Sequence, residues 1–404
     1  MVGSGQNPPL GLRRRGGRAK FTPRQTPVPL HTARVDTLRW LPTGRDGLRA
    51  LLTAIEQAQT SIRLEMYIYR TGSPGDEIGA ALTAAAARGV NVRIQLDALG
   101  SRELPDEFWA GLRAAGGEIR RFNPFGSGRY LIRDHRKLCV VDDVWAMIAG
   151  FNVSPEYDGD GVTQGWRDLG LSIEGPAARK LAAVFDQQYG HADRRPRLLA
   201  RYQKRREKPG TAGDSAVRVL PVSPGRQSSC LLDALYEDLP RAHRVWACTP
   251  YFVPPPKLRR LLGRAARRGA DVRLILPAQS DVPLAQLAAR RLYSGLHRNG
   301  IQVYEYQPQI LHAKLWLLDD AVYTGSSNLD PRSLHLNYEI MIRTTQPAAR
   351  DAAEEICADL FRHSRLIVAK DWSHSRTWYM KLRERWAFFL LYRLDPWLTH
   401  GFSS

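Results

Sequence analysis

Two stretches of the chain repeat one polar pattern: a histidine, a lysine two residues later, an aspartate, and a trailing asparagine. The two sets are His135, Lys137, Asp142 and Asn152, and then His312, Lys314, Asp319 and Asn328. An imidazole can attack an electrophile or carry a proton, and lysine and asparagine side chains can stabilise negative charge on oxygen. These residue types together indicate chemistry on an anionic group such as a phosphodiester.

The residues around each pattern predict a buried hairpin. A histidine and a lysine two residues apart on a strand project from the same face. The apolar runs 138–141 and 315–318 follow directly, typical of strands buried on both faces, and a pair of aspartates then predicts a polar turn before a second apolar strand. A buried lysine and histidine are costly unless they meet an anion, so each hairpin predicts part of an anion-binding site.

Alternating strands and helices surround the first hairpin and return around the second. Strands are predicted at 61–69, 90–96 and near Ile119, with helices at 48–59, 79–88 and 106–115; later strands at 243–252, 271–276 and 301–306 alternate with helices at 257–268 and 285–298. Landmarks match at a nearly constant offset: Tyr67 with Tyr251, Arg88-Gly89 with Arg268-Gly269, and Gly116 with Gly300. The order predicts an internally duplicated α/β unit whose mostly parallel sheet is covered by helices.

With two H-x-K-x4-D motifs, the sequence resembles the phospholipase D superfamily over residues 40 to 365. Further stretches resemble the bacterial cardiolipin synthases, most closely the shorter type without N-terminal transmembrane helices: Trp166-Arg167-Asp168-Leu169, Ile173-Glu174-Gly175-Pro176, and Gly325 to Leu334 continuing to Asn337-Tyr338-Glu339. The chain departs from that family at Ala149, where glycine is more usual, and in a spacing before Asn152 that is one residue longer than in the second half.

The resemblance implies two α-β-α sandwich domains packed about a pseudo-twofold axis, with one site made by both motifs. His135 would be the nucleophile that forms a phosphohistidine, and His312 would protonate the departing alcohol and deprotonate the incoming one. The catalytic set implied is His135, Lys137, Asp142, His312, Lys314 and Asp319, within which the two aspartates are expected to brace the hairpins rather than touch phosphorus. Asn152 and Asn328 would bind phosphate oxygens together with the lysines. Asp168 and Glu339 would orient the imidazoles, each contacting the histidine of its own half. No cofactor and no metal are expected.

Composition limits the partners. The 404 residues include 43% hydrophobic residues, an ordinary share for a globular protein, but the net charge is +19. This excess indicates an anionic partner, either nucleic acid or a membrane surface. No apolar run is long enough to span a bilayer, and the four scattered cysteines predict neither a disulfide framework nor a zinc site.

Five regions are predicted along the chain. They are a basic flexible arm at 1–40, a first phospholipase D-like domain at 41–191, a basic linker at 192–215, a second such domain at 216–366, and an amphipathic C-terminal segment at 367–404. In that last segment, residues 377–394 mix lysine and arginine with tryptophan, tyrosine and phenylalanine. This mixture favours a helix lying on a bilayer surface, with packing onto the domain as the alternative.

The resemblance implies phosphatidyl transfer from phosphatidylglycerol to the headgroup hydroxyl of a second phospholipid, with release of glycerol. The expected partners are anionic phospholipids and a membrane surface rather than nucleic acid. The expected location is peripheral, on the cytoplasmic side of the bacterial cell membrane. Three alternatives remain open: a phospholipase D-type hydrolase that uses water, a nuclease, and a non-catalytic lipid-binding scaffold.

Overall fold

The computed structural model describes residues 35–124, 132–190, 216–224 and 229–394. The strands of the first half are β1 (Thr37–Leu41), β2 (Ser61–Met66), β3 (Asn91–Asp97), β4 (Glu118–Phe122), β5 (Leu138–Val141), β6 (Trp145–Ala149) and β7 (Gly170–Glu174). Its helices are α1 (Gly44–Gln57), α2 (Gly75–Ala87), α3 (Ala110–Ala114) and α4 (Pro176–Tyr189), with short 3₁₀ turns at Asp106–Trp109 and Pro155–Tyr157.

The second half repeats this series and extends it. Its strands are β8 (Val217–Val222), β9 (Arg244–Cys248), β10 (Asp271–Pro277), β11 (Gln302–Tyr306), β12 (Leu315–Leu318), β13 (Ala321–Gly325), β14 (Glu339–Thr344) and β15 (Ser364–Leu366). Its helices are α5 (Cys230–Asp238), α6 (Pro256–Arg267), α7 (Pro283–Arg298), α8 (Pro331–His335), α9 (Pro347–Arg362), α10 (Ala369–Ser375) and α11 (Trp378–Phe389), followed by a π-helical turn at Leu390–Leu394.

The two sheets share one strand order. The first runs β1-β7-β6-β5-β2-β3-β4, and the second, taken from its other edge, runs β8-β14-β13-β12-β9-β10-β11 with β15 added at the end. Each strand of the first sheet therefore has a counterpart in the second. This correspondence confirms the predicted duplication of an α/β unit.

The sheets are mixed rather than mostly parallel, so the predicted strand direction is wrong in part. β2, β3 and β4 run parallel, as β9, β10 and β11 do, because a helical crossover connects each to the next. The other pairings in both sheets are antiparallel, starting with the hairpins β5–β6 and β12–β13. The strand–helix alternation thus describes only the part of each unit before its hairpin.

Amphipathic spacing explains how the helices cover the sheets. In α1, Thr43 accepts a hydrogen bond from the backbone N–H of Asp46 and caps the first turn, and the helix buries Leu48, Leu51 and Ile55 at intervals of one turn. Helices α1, α2 and α3 pack on one face of the first sheet, and α5, α6 and α7 pack on the corresponding face of the second. The predicted sandwich layers are therefore present in both halves.

A shared core joins the halves. It contains apolar residues of both sheets together with one face of α4 and one face of α9, including Phe185 and Leu360. Across this core the Trp40 indole N–H donates to the carbonyl of Ala349, 2.9 Å away, so β1 of the first half is tied to α9 of the second. The two sheets are consequently held as one body around α4 and α9.

One predicted boundary needs correction. The sequence predicts a basic arm over 1–40, but residues 37–41 form β1, which pairs with β7 as an edge strand. The alternation of polar and apolar residues in Thr37–Leu41 fits this half-buried edge. Residues 1–34 and the linker at 192–215 lie outside the described residues, and the other boundaries stay predictions. No helix among residues 35–124, 132–190, 216–224 and 229–394 is long and apolar enough to cross a bilayer.

Candidate functional site

Two reciprocal backbone bridges join the halves at the site. The N–H of His135 donates to the carbonyl of Tyr338 at 2.9 Å, and the N–H of His312 donates to the carbonyl of Arg167 at 2.7 Å. Each histidine thereby lies opposite the residue that precedes a carboxylate of the other half. The segments before β5 and β12 are held extended in this way, and their histidines lie at the boundary between the two sheets.

The side chains of the two histidines also contact carboxylates of the opposite half. His135 Nδ1 lies 2.9 Å from Glu339 Oε1, and His312 Nδ1 lies 2.6 Å from Asp168 Oδ2. The sequence-based pairing, which counted each carboxylate from the histidine of its own half, is therefore wrong. The backbone bridges explain the crossing, because each one places a histidine beside the carboxylate-bearing strand of the opposite half. A carboxylate beside Nδ1 favours the neutral tautomer that donates Nδ1–H, which leaves the lone pair on Nε2. Lys314 Nζ also lies 2.8 Å from Nδ1 of His312.

Small residues make room for the two carboxylates. A Cβ added to Gly150 would lie 2.1 Å from Asp168 Oδ1. At the equivalent place in the second half, the Ser326 hydroxyl donates to Glu339 Oε2 at 2.5 Å. Ala149 is accommodated because its φ is not positive, whereas its counterpart Gly325 has a φ of 150° and a Cβ there would lie 2.2 Å from the Ile340 carbonyl.

Both lysines are buried beside the histidines. Lys137 Nζ donates to the carbonyl of His135 at 2.8 Å, and Lys314 Nζ donates to the carbonyl of His312 at 2.5 Å. Lys314 Nζ also lies 4.0 Å from Asp168 Oδ2. Two ammonium groups in one buried region create a strong local positive potential, which suits an anionic ligand.

The two trailing asparagines are also buried, but their contacts differ. Asn152 accepts from the backbone N–H of Ile68 and donates to the Tyr157 hydroxyl, each at 3.1 Å. Within the described part of the chain, the side-chain oxygen of Asn328 has no hydrogen-bond partner. Both polar atoms of the Asn152 side chain thus have a protein partner, with one N–H of its amide left over, whereas the Asn328 oxygen lacks a partner among the described residues.

The motif aspartates lie at the far ends of β5 and β12, away from the histidines. The Asp142 carboxylate accepts from the backbone N–H groups of Gln59, Thr60 and Ser61 at 2.7 to 2.9 Å, which fixes the start of β2. Asp319 accepts in the same way from His243 and Arg244 at the start of β9. These contacts hold the starts of β2 and β9 in place. Neither carboxylate lies beside the histidine of either motif, so their predicted membership of the catalytic residues is wrong.

Burial governs the protonation of the site. Burial, with the charges of Lys137, Lys314 and His312, holds the pKa of His135 well below its usual value, and burial with the Lys314 charge lowers the pKa of His312. Burial also lowers the pKa of Lys137 to about 7 and raises the pKa of Glu339 to about 7. Neutral imidazoles are therefore favoured in the free protein, and an anion placed among these groups would favour the charged lysines.

Aromatic rings surround both histidines, and sequence reasoning gave them no role at the site. The rings of Tyr157, Trp166 and Tyr251 lie 5.6, 5.7 and 6.3 Å from that of His312. Tyr67 makes an edge contact with His135 at 4.8 Å. A signal was available for Tyr67 and Tyr251, since they are a matched pair that lies one residue after β2 and three residues after β9, where the ends of parallel strands meet.

Comparison with known proteins finds the same two-copy organisation. A family described as cardiolipin synthase, PLD-like domain, matches residues 51–188 and 237–361, so each sheet carries one copy. Cardiolipin synthase 1 of Bacillus cereus is 33% identical over 345 residues, covering 81% of this chain and 67% of that protein. Cardiolipin synthase A of Pseudomonas putida is 32% identical over 344 residues, covering 83% of this chain and 70% of that protein.

The chain belongs to the phospholipase D-like cardiolipin synthase family. The family predicted from the two motifs is thereby confirmed. Among solved structures, the phosphatidylserine synthase of Haemophilus influenzae superposes with a TM-score of 0.70 at 14% identity, covering 90% of this chain and 94% of that one. This likeness confirms the predicted duplicated fold. The chain spans about two thirds of the length of the curated relatives described here.

The pKa shifts predict that anion binding strengthens as pH falls. Below about pH 7 Lys137 gains its positive charge and Glu339 loses its negative charge, and both changes favour a bound anion. We expect the Kd for tungstate, measured calorimetrically, to weaken roughly tenfold or more between pH 6.5 and 8.5, since each coupled proton contributes up to tenfold per pH unit. Lys137→Met should flatten the profile. A Kd that is independent of pH in the wild-type protein would contradict the assignment.

The bracing contacts predict that Asp142→Ala costs stability rather than chemistry. Because several backbone N–H groups lose their acceptor, the free energy of unfolding should fall by about 1–3 kcal/mol in urea titration. Turnover per folded molecule should stay within about threefold of the wild type, since this is the scale of a shift smaller than 1 kcal/mol. Asp319→Ala, its counterpart, should behave alike. A large loss of turnover in a fully folded variant would restore the aspartates to the catalytic set.

Proposed function

We propose that this chain is a cardiolipin synthase that transfers a phosphatidyl group from phosphatidylglycerol to the headgroup hydroxyl of a second phospholipid. The observation that carries the proposal is the reciprocal pairing of two largely buried imidazoles with carboxylates of opposite halves, beside two buried lysines. The cardiolipin synthase relatives supply the substrate class. A covalent phosphohistidine links the two half-reactions.

In the first half-reaction, His135 is the nucleophile. Its Nδ1–H is held by Glu339, so the Nε2 lone pair attacks the donor phosphorus. The bond from phosphorus to the glycerol oxygen breaks, and the Nε2 proton of His312 goes to that oxygen. Lys137, Lys314 and the two asparagines hold the non-bridging oxygens as negative charge develops. The charge of the bound diester opposes the effect of the lysines and raises the pKa of His312 enough for it to act as the acid.

In the second half-reaction, the acceptor's hydroxyl takes the place of glycerol. His312, now neutral, accepts the hydroxyl proton at Nε2, and the oxygen attacks phosphorus as the bond to His135 breaks. Asp168 stabilises the imidazolium and fixes its orientation through the 2.6 Å contact to Nδ1. Cardiolipin leaves, and both imidazoles return to their starting state.

Burial of the site favours a lipid acceptor over water. The side chain of His135 is 12% exposed and that of His312 is 5% exposed, and aromatic rings flank both. A hydrolase would need water at the same position, and a nuclease would need room for a polymer beside the histidines. The shielded site supports transfer between lipids, with hydrolysis as the alternative outcome.

A surface formed by α11 supports attachment to a membrane, and we call it the α11 face. Its side chains, with that of Leu390 directly after the helix, are exposed and recur at helical spacing: Trp378, Tyr379, Leu382, Trp386 and Phe389. Trp378 is 76% exposed and Trp386 is 58% exposed. Lys381, Arg383 and Arg385, also exposed, lie between them. Tryptophan mixed with basic residues is the composition of helices that lie at the interface of an anionic bilayer.

The α11 face is connected to the site by direct packing. The opposite side of α11 buries Ala387 against Ala288 of α7 and Val253. The N–H of Val253 donates to the carbonyl of Leu329, the residue after Asn328, at 2.8 Å. A membrane bound at the α11 face would therefore lie near the segments that carry the site. The basic arm and linker, also proposed to hold anionic lipid, lie outside the described residues, as do residues 395–404. The cytoplasmic side of the cell membrane remains our proposal for the location.

The function predicts specific products. Purified protein incubated with phosphatidylglycerol labelled in its phosphatidyl group should yield labelled cardiolipin and an equal amount of glycerol. His135→Asn should lose the acid-labile phosphoenzyme and at least about 100-fold in rate, the scale on which a lost nucleophile or general acid is felt. His312→Asn should slow turnover similarly while leaving His135 able to be trapped.

His243→Asn is the matched control, because this histidine is 94% exposed and lies beside Asp319, away from the site. It should retain wild-type rates. Phosphatidic acid as the sole product would identify a hydrolase, cut DNA in a parallel incubation would identify a nuclease, and no product would favour a non-catalytic scaffold. A full adduct in His135→Asn would reject this nucleophile.

The α11 face predicts salt-sensitive and tryptophan-dependent binding to vesicles. Trp378→Ser with Trp386→Ser should weaken binding to phosphatidylglycerol-containing vesicles at least tenfold, about 1.4 kcal/mol, in a sedimentation assay. High salt should weaken the wild-type binding as well, because the basic side chains act through screened charges. Phosphatidylcholine vesicles provide the control and should bind weakly. Unchanged binding by the double variant would show that this face does not meet the membrane.

A further inference from the structure

Arg133 is a buried cation with unused donors beside the nucleophile. Its side chain is 4% exposed, and Nη1 forms an ion pair with Asp97 Oδ1 at a long 3.4 Å. Across the residues that the structure describes, its Nε and Nη2 atoms are buried and have no hydrogen-bond partner. Unsatisfied buried guanidinium donors are costly, and such a group is expected where a ligand completes the contacts.

The backbone directs Arg133 toward the site. The N–H of Tyr338 donates to the carbonyl of Arg133, and the N–H of His135 donates to the carbonyl of Tyr338, each at 2.9 Å, so this segment is extended. Alternate residues of an extended segment project from one face, which places Arg133, His135 and Lys137 side by side. Burial raises the pKa of Tyr67, whereas the charges of Arg133 and Arg332 lower it, so both arginines lie near the tyrosine that packs on His135.

The second half has no such cation at the equivalent place. Ile310 stands two residues before His312, where Arg133 stands before His135. The surroundings of His312 are aromatic, and they include Tyr251, whose hydroxyl donates to the Asp281 carboxylate at 2.6 Å. The histidines and lysines are thus duplicated, but the arginine two residues before the histidine is not, so the first half carries one more cation than the second at this place.

We propose that Arg133 binds the phosphodiester of the acceptor lipid, so that the acceptor is recognised by its own phosphate while its headgroup hydroxyl attacks the phosphohistidine. This inference rests on the proposed function and names the acceptor class, an anionic phospholipid whose hydroxyl is a short carbon chain away from its phosphorus. Residues two apart on a strand are separated by roughly 6.6 Å, which such a headgroup can span. The free Nε–H and Nη2–H form a side-on fork for two phosphate oxygens.

The test uses two acceptors that compete for one phosphatidyl-enzyme. Labelled phosphatidylglycerol is supplied as donor, with unlabelled phosphatidylglycerol and 1-propanol as anionic and neutral acceptors, and the ratio of cardiolipin to phosphatidylpropanol is measured. In Arg133→Gln this ratio should fall at least tenfold while donor consumption stays within threefold of wild type. In Arg133→Lys, which keeps the positive charge but loses the two-pronged donor geometry, the ratio should fall less. This variant also serves as the folded alternative if Arg133→Gln does not form the phosphoenzyme.

Arg63→Gln is the matched control. Arg63 is also largely buried, but it is paired with Asp143 and Asp186 at the hairpin end of the sheet, so its loss should leave the product ratio unchanged. An unchanged ratio in both Arg133 variants, or a parallel fall of both products, would overturn the subsite while leaving the proposed function in place. A wild-type protein that forms phosphatidylpropanol but no cardiolipin would overturn the function and the subsite together.

Discussion

The crossed contacts between histidines and carboxylates are the constraint on which the site depends. Neither half can orient its own imidazole, because Glu339 of the second half holds His135 and Asp168 of the first half holds His312. The backbone bridges beside these contacts hold each histidine segment in register with the carboxylate-bearing segment of the other half. The shared core around α4 and α9 keeps the two sheets in place. A duplicated fold therefore makes a single site, and separating the halves would dismantle both imidazole pairs at once.

Burial turns these polar groups into a site that is prepared for an anion. Two lysines, two histidines and the Arg133 guanidinium, which is only partly satisfied by the described residues, lie in a region from which water is largely excluded. Burial lowers the pKa of Lys137 to about 7, so the free protein keeps its positive charge there at a cost. A phosphodiester relieves that cost by supplying the opposite charge. In the proposed reaction, His135 stays neutral because its pKa is held well below the usual value, while the charge of the bound diester raises the pKa of His312 toward that of the acid which its step requires.

The sequence predicted the features that are local or repeated. The hairpins, the histidines, the lysines and the bracing aspartates follow from short-range spacing, and the repeat made each copy support the other. Strand direction beyond the crossovers was wrong, since the alternation of elements does not report hairpin pairing. The crossing of Asp168 and Glu339 depends on packing between residues more than a hundred positions apart. Arg133 occurs in one copy alone, so the repeat could not reveal it.

A crystal structure of the protein with orthovanadate would test the central claim most directly. The account predicts one oxyanion in contact with Nε2 of both His135 and His312, while Glu339 and Asp168 hold the opposite ring nitrogens. Vanadate bound to one histidine alone, or two ions in separate cavities, would contradict a single site built from both halves.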